Sequence, residues 1–169
     1  VNKHVVFILI VTFFMFCGCT KKEIYRYEGE PLEIAVAGDK KLPRFQNIVY
    51  DYVALADLDQ SDTRYDALII TRSAFPEADQ DKYVPFFQSV KYPVFFYGAD
   101  DFKYFAFTVE GMTIDMAKYE NSPYVQGFKN LDDGTRIGWG FELPNDEKEK
   151  VDEKEMLLRI FNAINSNND

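Results

Sequence analysis

Five polar residues fall where a sheet-based protein would use them: Asp39, Arg72, Ser73, Asp100 and Asp101. Each follows a short apolar run that reads as a buried strand, and in an open parallel sheet ligands bind beyond the carboxyl ends of the strands. Three carboxylates, a guanidinium and a hydroxyl gathered there would suit a calcium or magnesium ion, or would seat a small anion against Arg72. A metal-assisted hydrolase on the same acids is the third chemistry this set allows. Asp and Ser are also common turn and cap residues, so position alone does not make a site.

What is missing narrows the chemistry further. Residues 20–169 contain no histidine and no cysteine, since His4, Cys17 and Cys19 are the only ones in the chain. Ser-His-Asp and Cys-His catalysis, histidine or thiolate metal sites and disulfides therefore have no residues to work with in that stretch. Gly38 and Gly98 stand alone and no glycine-rich phosphate loop is present, so no cofactor is expected. A formal net charge of −9 opposes contact with nucleic acid or anionic lipid. The balance favours a binding module over an enzyme.

A second lead is aromatic. Phenylalanine, tyrosine and tryptophan make up 17% of the residues, more than a small core needs. Tyr124, Phe128 and Trp139 form the candidate docking surface, for a protein or for an envelope component such as the cell wall, because exposed aromatics bury large area at low entropic cost.

The elements that must position these residues follow from periodicity. Residues 32–37, 48–55, 65–71 and 93–97 read as strands, rich in Val, Ile and aromatics and bounded by turn residues. Residues 79–90 carry apolar side chains at helical spacing, with Pro85 either kinking that helix or starting it. Strand, helix and strand within residues 65–98 predict a parallel βαβ unit. Residues 103–110 alternate as a half-buried strand, and 124–128 and 136–143 make a pair joined by Asp132, Asp133 and Gly134. At the end, Asp152 with Glu155 has the form of a capping box, followed by the stripe Leu157, Ile160, Phe161, Ile164 of an amphipathic helix. The expected fold is one α/β domain over residues 32–169, three-layered, with a mainly parallel central sheet of flavodoxin-like or related type. A thioredoxin-like sheet is the alternative.

The N-terminal residues have a different grammar: Lys3 in a short cationic start, an apolar run over 5–16, then Cys17, Gly18, Cys19. Twelve residues of helix rise about 18 Å, short of a hydrocarbon core of roughly 30 Å, so a removable signal segment fits better than a membrane span. Phe16, Cys17, Gly18 and Cys19 resemble the lipobox of bacterial lipoproteins, with Phe16 in place of the usual Leu and Cys17 in place of Ala or Ser. The resemblance implies a signal peptide over residues 1–18, a diacylglyceryl group on the Cys19 sulfur and an extracytoplasmic, lipid-anchored address. Residues 19–31 would be the lipidated cysteine and its tether. Thr20 stands where an inner-membrane retention signal would have Asp, and the Val1 start fits a Gram-positive source better than a Gram-negative one.

Overall fold

The computed structural model describes residues 24–143 and 152–166. Eight strands run in chain order as β1 (Ile24–Tyr25), β2 (Leu32–Ala37), β3 (Arg44–Phe45), β4 (Ile48–Val53), β5 (Ala67–Thr71), β6 (Val94–Tyr97), β7 (Val125–Asn130) and β8 (Arg136–Phe141). Three helices accompany them: α1 (Phe75–Ala78), α2 (Val84–Ser89) and α3 (Glu153–Asn165). β1 and β3 form a small parallel ribbon, and the other six strands form one sheet in the order β4-β2-β5-β6-β7-β8. The first four of these are mutually parallel, whereas β7 and β8 add an antiparallel hairpin at one side.

Alternation along the strands supplies two cores from one sheet. Ala35, Ala37, Leu68, Ile70, Val94 and Phe96 face one side, while Ile34, Val36, Ala67, Ile69, Phe95 and Tyr97 face the other. The first face is covered by α1, α2 and the segment after β6, through Phe75, Phe87, Phe102 and Phe107. The second is covered by α3, through Leu157, Ile160, Phe161 and Ile164, and by Tyr27, Leu42 and Phe45. Three layers result, as the sequence predicts. Strands on the central positions are buried on both faces, which explains their near-continuous apolar runs.

The connection from β2 to β4 lies on the α3 face, but those from β4 to β5 and from β5 to β6 lie on the opposite face. The chain thus leaves β2 and β5 in opposite directions. Together with the parallel order β4-β2-β5-β6, this is the doubly wound arrangement, and it places a topological switch point between β2 and β5.

Two expectations are corrected and a third is resolved. Residues 103–110 are not a strand: Tyr104–Phe107 is a 3-10 turn, Phe107 is buried and Phe105 and Val109 are exposed. The reason is that β7 already pairs with the free edge of β6, and Gln126 on β7 ties down the intervening chain through Ala99 O, Phe102 O and Tyr104 N. Of the two readings for residues 79–90, Pro85 starts the helix: after a 3-10 turn at Asp81–Tyr83, α2 begins at Val84 with Pro85 in its first turn, where the missing N–H costs no hydrogen bond. Residues 24–31 are not a tether alone. β1 pairs with β3, and Tyr27 is buried with its ring against Phe161.

The C-terminal helix begins as its sequence suggests. The Asp152 carboxylate accepts from the N–H groups of Lys154 and Glu155, at 3.0 and 3.2 Å. Asp152→Ala removes both bonds and should lower stability by about 1 kcal/mol, whereas Asp152→Ser keeps a capping oxygen and should lose much less. Urea unfolding midpoints at unchanged slope measure the difference.

Candidate functional site

At the switch point two strand ends meet. β2 gives way to Gly38, Asp39 and Lys40, and β5 to Arg72 and Ser73, while β6 ends at Tyr97 and Gly98. Gly38 has φ of +111°, and a Cβ there would lie 2.1 Å from Thr71 Oγ1 and 2.8 Å from Ser73 Oγ. Only glycine lets β2 turn out of the sheet this close to the hydroxyls of the next strand. Thr71 Oγ1 donates to Ala37 O at 3.2 Å, and the Asp39 N–H donates to Ser73 Oγ at 2.9 Å. This second bond is a ridge dividing two clefts. On the α3 side lies a crevice of about 500 Å³ lined by Asp39, Lys40, Thr71, Arg72, Ser73, Tyr97, Gly98 and Tyr124. On the other side lies a smaller cleft of about 280 Å³ that Glu77 borders.

The sequence-predicted residues do converge, but not as a cation cage. Asp39 and Ser73 form the ridge. Arg72 Nη2 donates to Gly98 O and to Asp100 Oδ1, with Asp101 Oδ1 at 3.6 Å. Asp100 and Asp101 therefore lean on a guanidinium, and among the described residues no three acidic side chains gather as they would around an ion. Among the described residues Ser73 Oγ hydrogen-bonds to no carboxylate or other base, only to Thr71 Oγ1 at 3.4 Å and the Asp39 N–H. Glu77 in the neighbouring cleft accepts from Tyr83 OH. Nothing in this arrangement activates a nucleophile. Its donors, acceptors and concavity suit binding.

Three further residues belong to the site. Lys40, which lines the crevice, pairs through Nζ with Glu153 at 2.6 Å and so is tied to the first residue of α3. Tyr97 lines the crevice at only 1% exposure, and its buried hydroxyl makes no well-formed hydrogen bond among the described residues, with only a weak contact to the Tyr124 hydroxyl. Burial pushes that hydroxyl far above the ordinary tyrosine value, and Tyr124, Glu153 and Asp152 push it the same way, so it stays a neutral donor. Tyr124 meets the Tyr97 ring edge-on at 5.3 Å and is likewise raised by burial, then by Asp100. Tyr97 had a sequence signal: in Val94 to Tyr97 it is the last residue on the α3 face before the turn glycine. Glu153, distant along the chain, had none.

The aromatic docking trio does not hold together. Phe128 is fully buried on the α1 and α2 face, under Tyr104 and Phe96, whereas Tyr124 and Trp139 pack on the α3 face. Val125 and Phe128, three apart on β7, point to opposite faces, and Tyr124, which precedes the strand, packs into the same core as Val125. Trp139 is half-buried against Phe95, in space that Gly127 leaves open: a Cβ there would lie 2.4 Å from that ring. Phe75, Tyr92 and Tyr97 are likewise buried, so most of the aromatic excess is core.

Comparison with known proteins yields no match, whether to a family model, to a curated protein or to a solved structure. The functional reading therefore stands on the geometry of the crevice. Cys19 and the rest of the lipobox lie outside the described residues.

Proposed function

We propose that this chain is a non-catalytic, lipid-anchored extracytoplasmic protein whose α/β domain captures a small ligand in the crevice at the switch point. The observation that carries the binding reading is Tyr97, whose buried hydroxyl makes no well-formed hydrogen bond among the described residues and which lines a concave site bordered by Arg72 and Lys40. Leaving such a group unsatisfied costs about 1–3 kcal/mol, which an acceptor in the crevice would recover. The membrane address rests on Phe16 to Cys19 alone.

Two measurements test the two halves. Intact mass of the membrane-extracted protein should carry a diacylglyceryl increment that Cys19→Ala lacks; equal masses apart from the substitution remove the anchor. For the crevice, thermal shift against a library of small metabolites should give a hit that stabilises the parent chain but not Ser73→Trp, an exposed position where an indole fills the site. A hit that stabilises both chains equally contradicts the assignment, as does the absence of any hit.

A second reading, docking of an envelope protein, is supported by the segment between β6 and β7. Of the seven large apolar side chains most exposed among the described residues, Phe105, Val109, Met116 and Tyr119 lie in it. Grouped apolar exposure of this kind is how interaction surfaces present themselves. Met116→Glu and Tyr119→Glu would abolish such docking while leaving binding in the crevice unchanged.

A further inference from the structure

Resting on the crevice reading, we propose that the ligand is a small zwitterion, with one carboxylate and one ammonium as in a free amino acid, its carboxylate taken by Arg72 and the Tyr97 hydroxyl. The charges of the site argue for this class. Lys40 already faces Glu153, Arg72 already faces Asp100 and Asp101, and Asp39 stands on the rim. A lone anion would find donors in Arg72 and Tyr97 but would sit close to Asp39, Asp100 and Asp101 with nothing to offset their charge. A dianion such as phosphate would meet the repulsion of all four carboxylates. A lone cation would leave the donors unused. Only a ligand bearing both signs brings a partner for Arg72 and a partner for the surplus carboxylates in one step.

The donors are placed for the negative end. Arg72 spends one nitrogen, Nη2, on Gly98 O and Asp100, and its Nε and Nη1 groups have no described partner. Tyr97 adds a neutral O–H beside Tyr124, with the cation of Lys40 5.8 Å from the centre of its ring. Donors of both kinds, one charged and one neutral, are what a carboxylate accepts from. Of the acceptors, Asp39 lines the same space, and Asp100 and Asp101 stand beside it on the Arg72 guanidinium, where they suit an ammonium. A crevice of about 500 Å³ also falls within the size range of small-molecule sites.

Calorimetry of the detergent-extracted full chain against each of the twenty amino acids, acetate, ethylammonium and inorganic phosphate tests the class. At least one amino acid should bind, with acetate and ethylammonium each weaker by more than about tenfold, since each offers half of the recognition. Tyr97→Phe should weaken that amino acid about tenfold and Arg72→Gln about a hundredfold, the second because the lost bond is charge-assisted. Both variants should melt close to the parent, because Arg72 is exposed and Tyr97→Phe keeps the ring. Acetate or phosphate binding as tightly as every amino acid, or none of the twenty binding, overturns the zwitterion. The crevice survives that result as long as Ser73→Trp still removes the stabilisation given by the library hit; if Ser73→Trp removes nothing, the crevice fails as well.

Discussion

Phe96→Ala should destabilise the domain by about 3–5 kcal/mol, the cost of a large buried ring together with the cavity it leaves. Phe96 is fully buried on the face covered by α1 and α2, and its ring stacks on Phe107 at 4.2 Å and meets Phe75, Phe87, Tyr104 and Phe128 within 6.5 Å. It joins α1, α2, the segment after β6 and the β7 strand to one point on the sheet. Domains of this size have a net stability of about 5–15 kcal/mol, so this truncation removes roughly a fifth of it or more. Phe105→Ala, at a side chain 40% exposed, is the control and should cost under about 0.5 kcal/mol. Equilibrium urea unfolding of the two variants measures the contrast, and equal losses would mean that the layer over this face is packed differently.

Gly38→Ala should cost about 2–4 kcal/mol and remove ligand binding at the same time. A positive φ costs an L-residue about 1–2 kcal/mol, and the new Cβ, 2.1 Å from Thr71 Oγ1, must also disturb the bond from that hydroxyl to Ala37 O. Gly134→Ala separates the two effects. Its φ is +84° but nothing lies within 4 Å of the added carbon, so it should cost the backbone term alone. If both substitutions cost the same, Thr71 and Ser73 move freely and the crevice has no rigid floor. The comparison thus reads local stability and the preorganisation of the site together.

Much of the architecture was legible because the strands that build it carry strict alternation or continuous apolar runs. β2 begins and ends where the apolar run 32–37 does, and β5 and β6 follow the runs ending in Thr71 and Tyr97. The α3 stripe at Leu157, Ile160, Phe161 and Ile164 is buried residue for residue. The failures have a common cause in long-range competition. Residues 103–110 have the alternation of a strand, but the place beside β6 is taken by β7, and periodicity carries no information about who wins an edge. Phe128 and Trp139 have the composition of a contact surface, but which face a strand residue takes depends on a register set by its neighbour. Ser73 and Arg72 were visible as residues at strand ends, and their approach to Gly38 and Gly98 follows from parallel order. That Arg72 would pair with Asp100, and that Glu153 would reach Lys40 from the far end of the chain, follows only from three-dimensional packing.

The most direct test of the crevice is amide hydrogen exchange on the full-length protein with and without the dialysable extract of the cells that make it. Ligand capture at the switch point predicts slowed exchange confined to residues 37–41, 71–74 and 97–101, the three strand ends that border the site, and lost in Ser73→Trp. Protection confined to residues 103–119, or none anywhere, would contradict it.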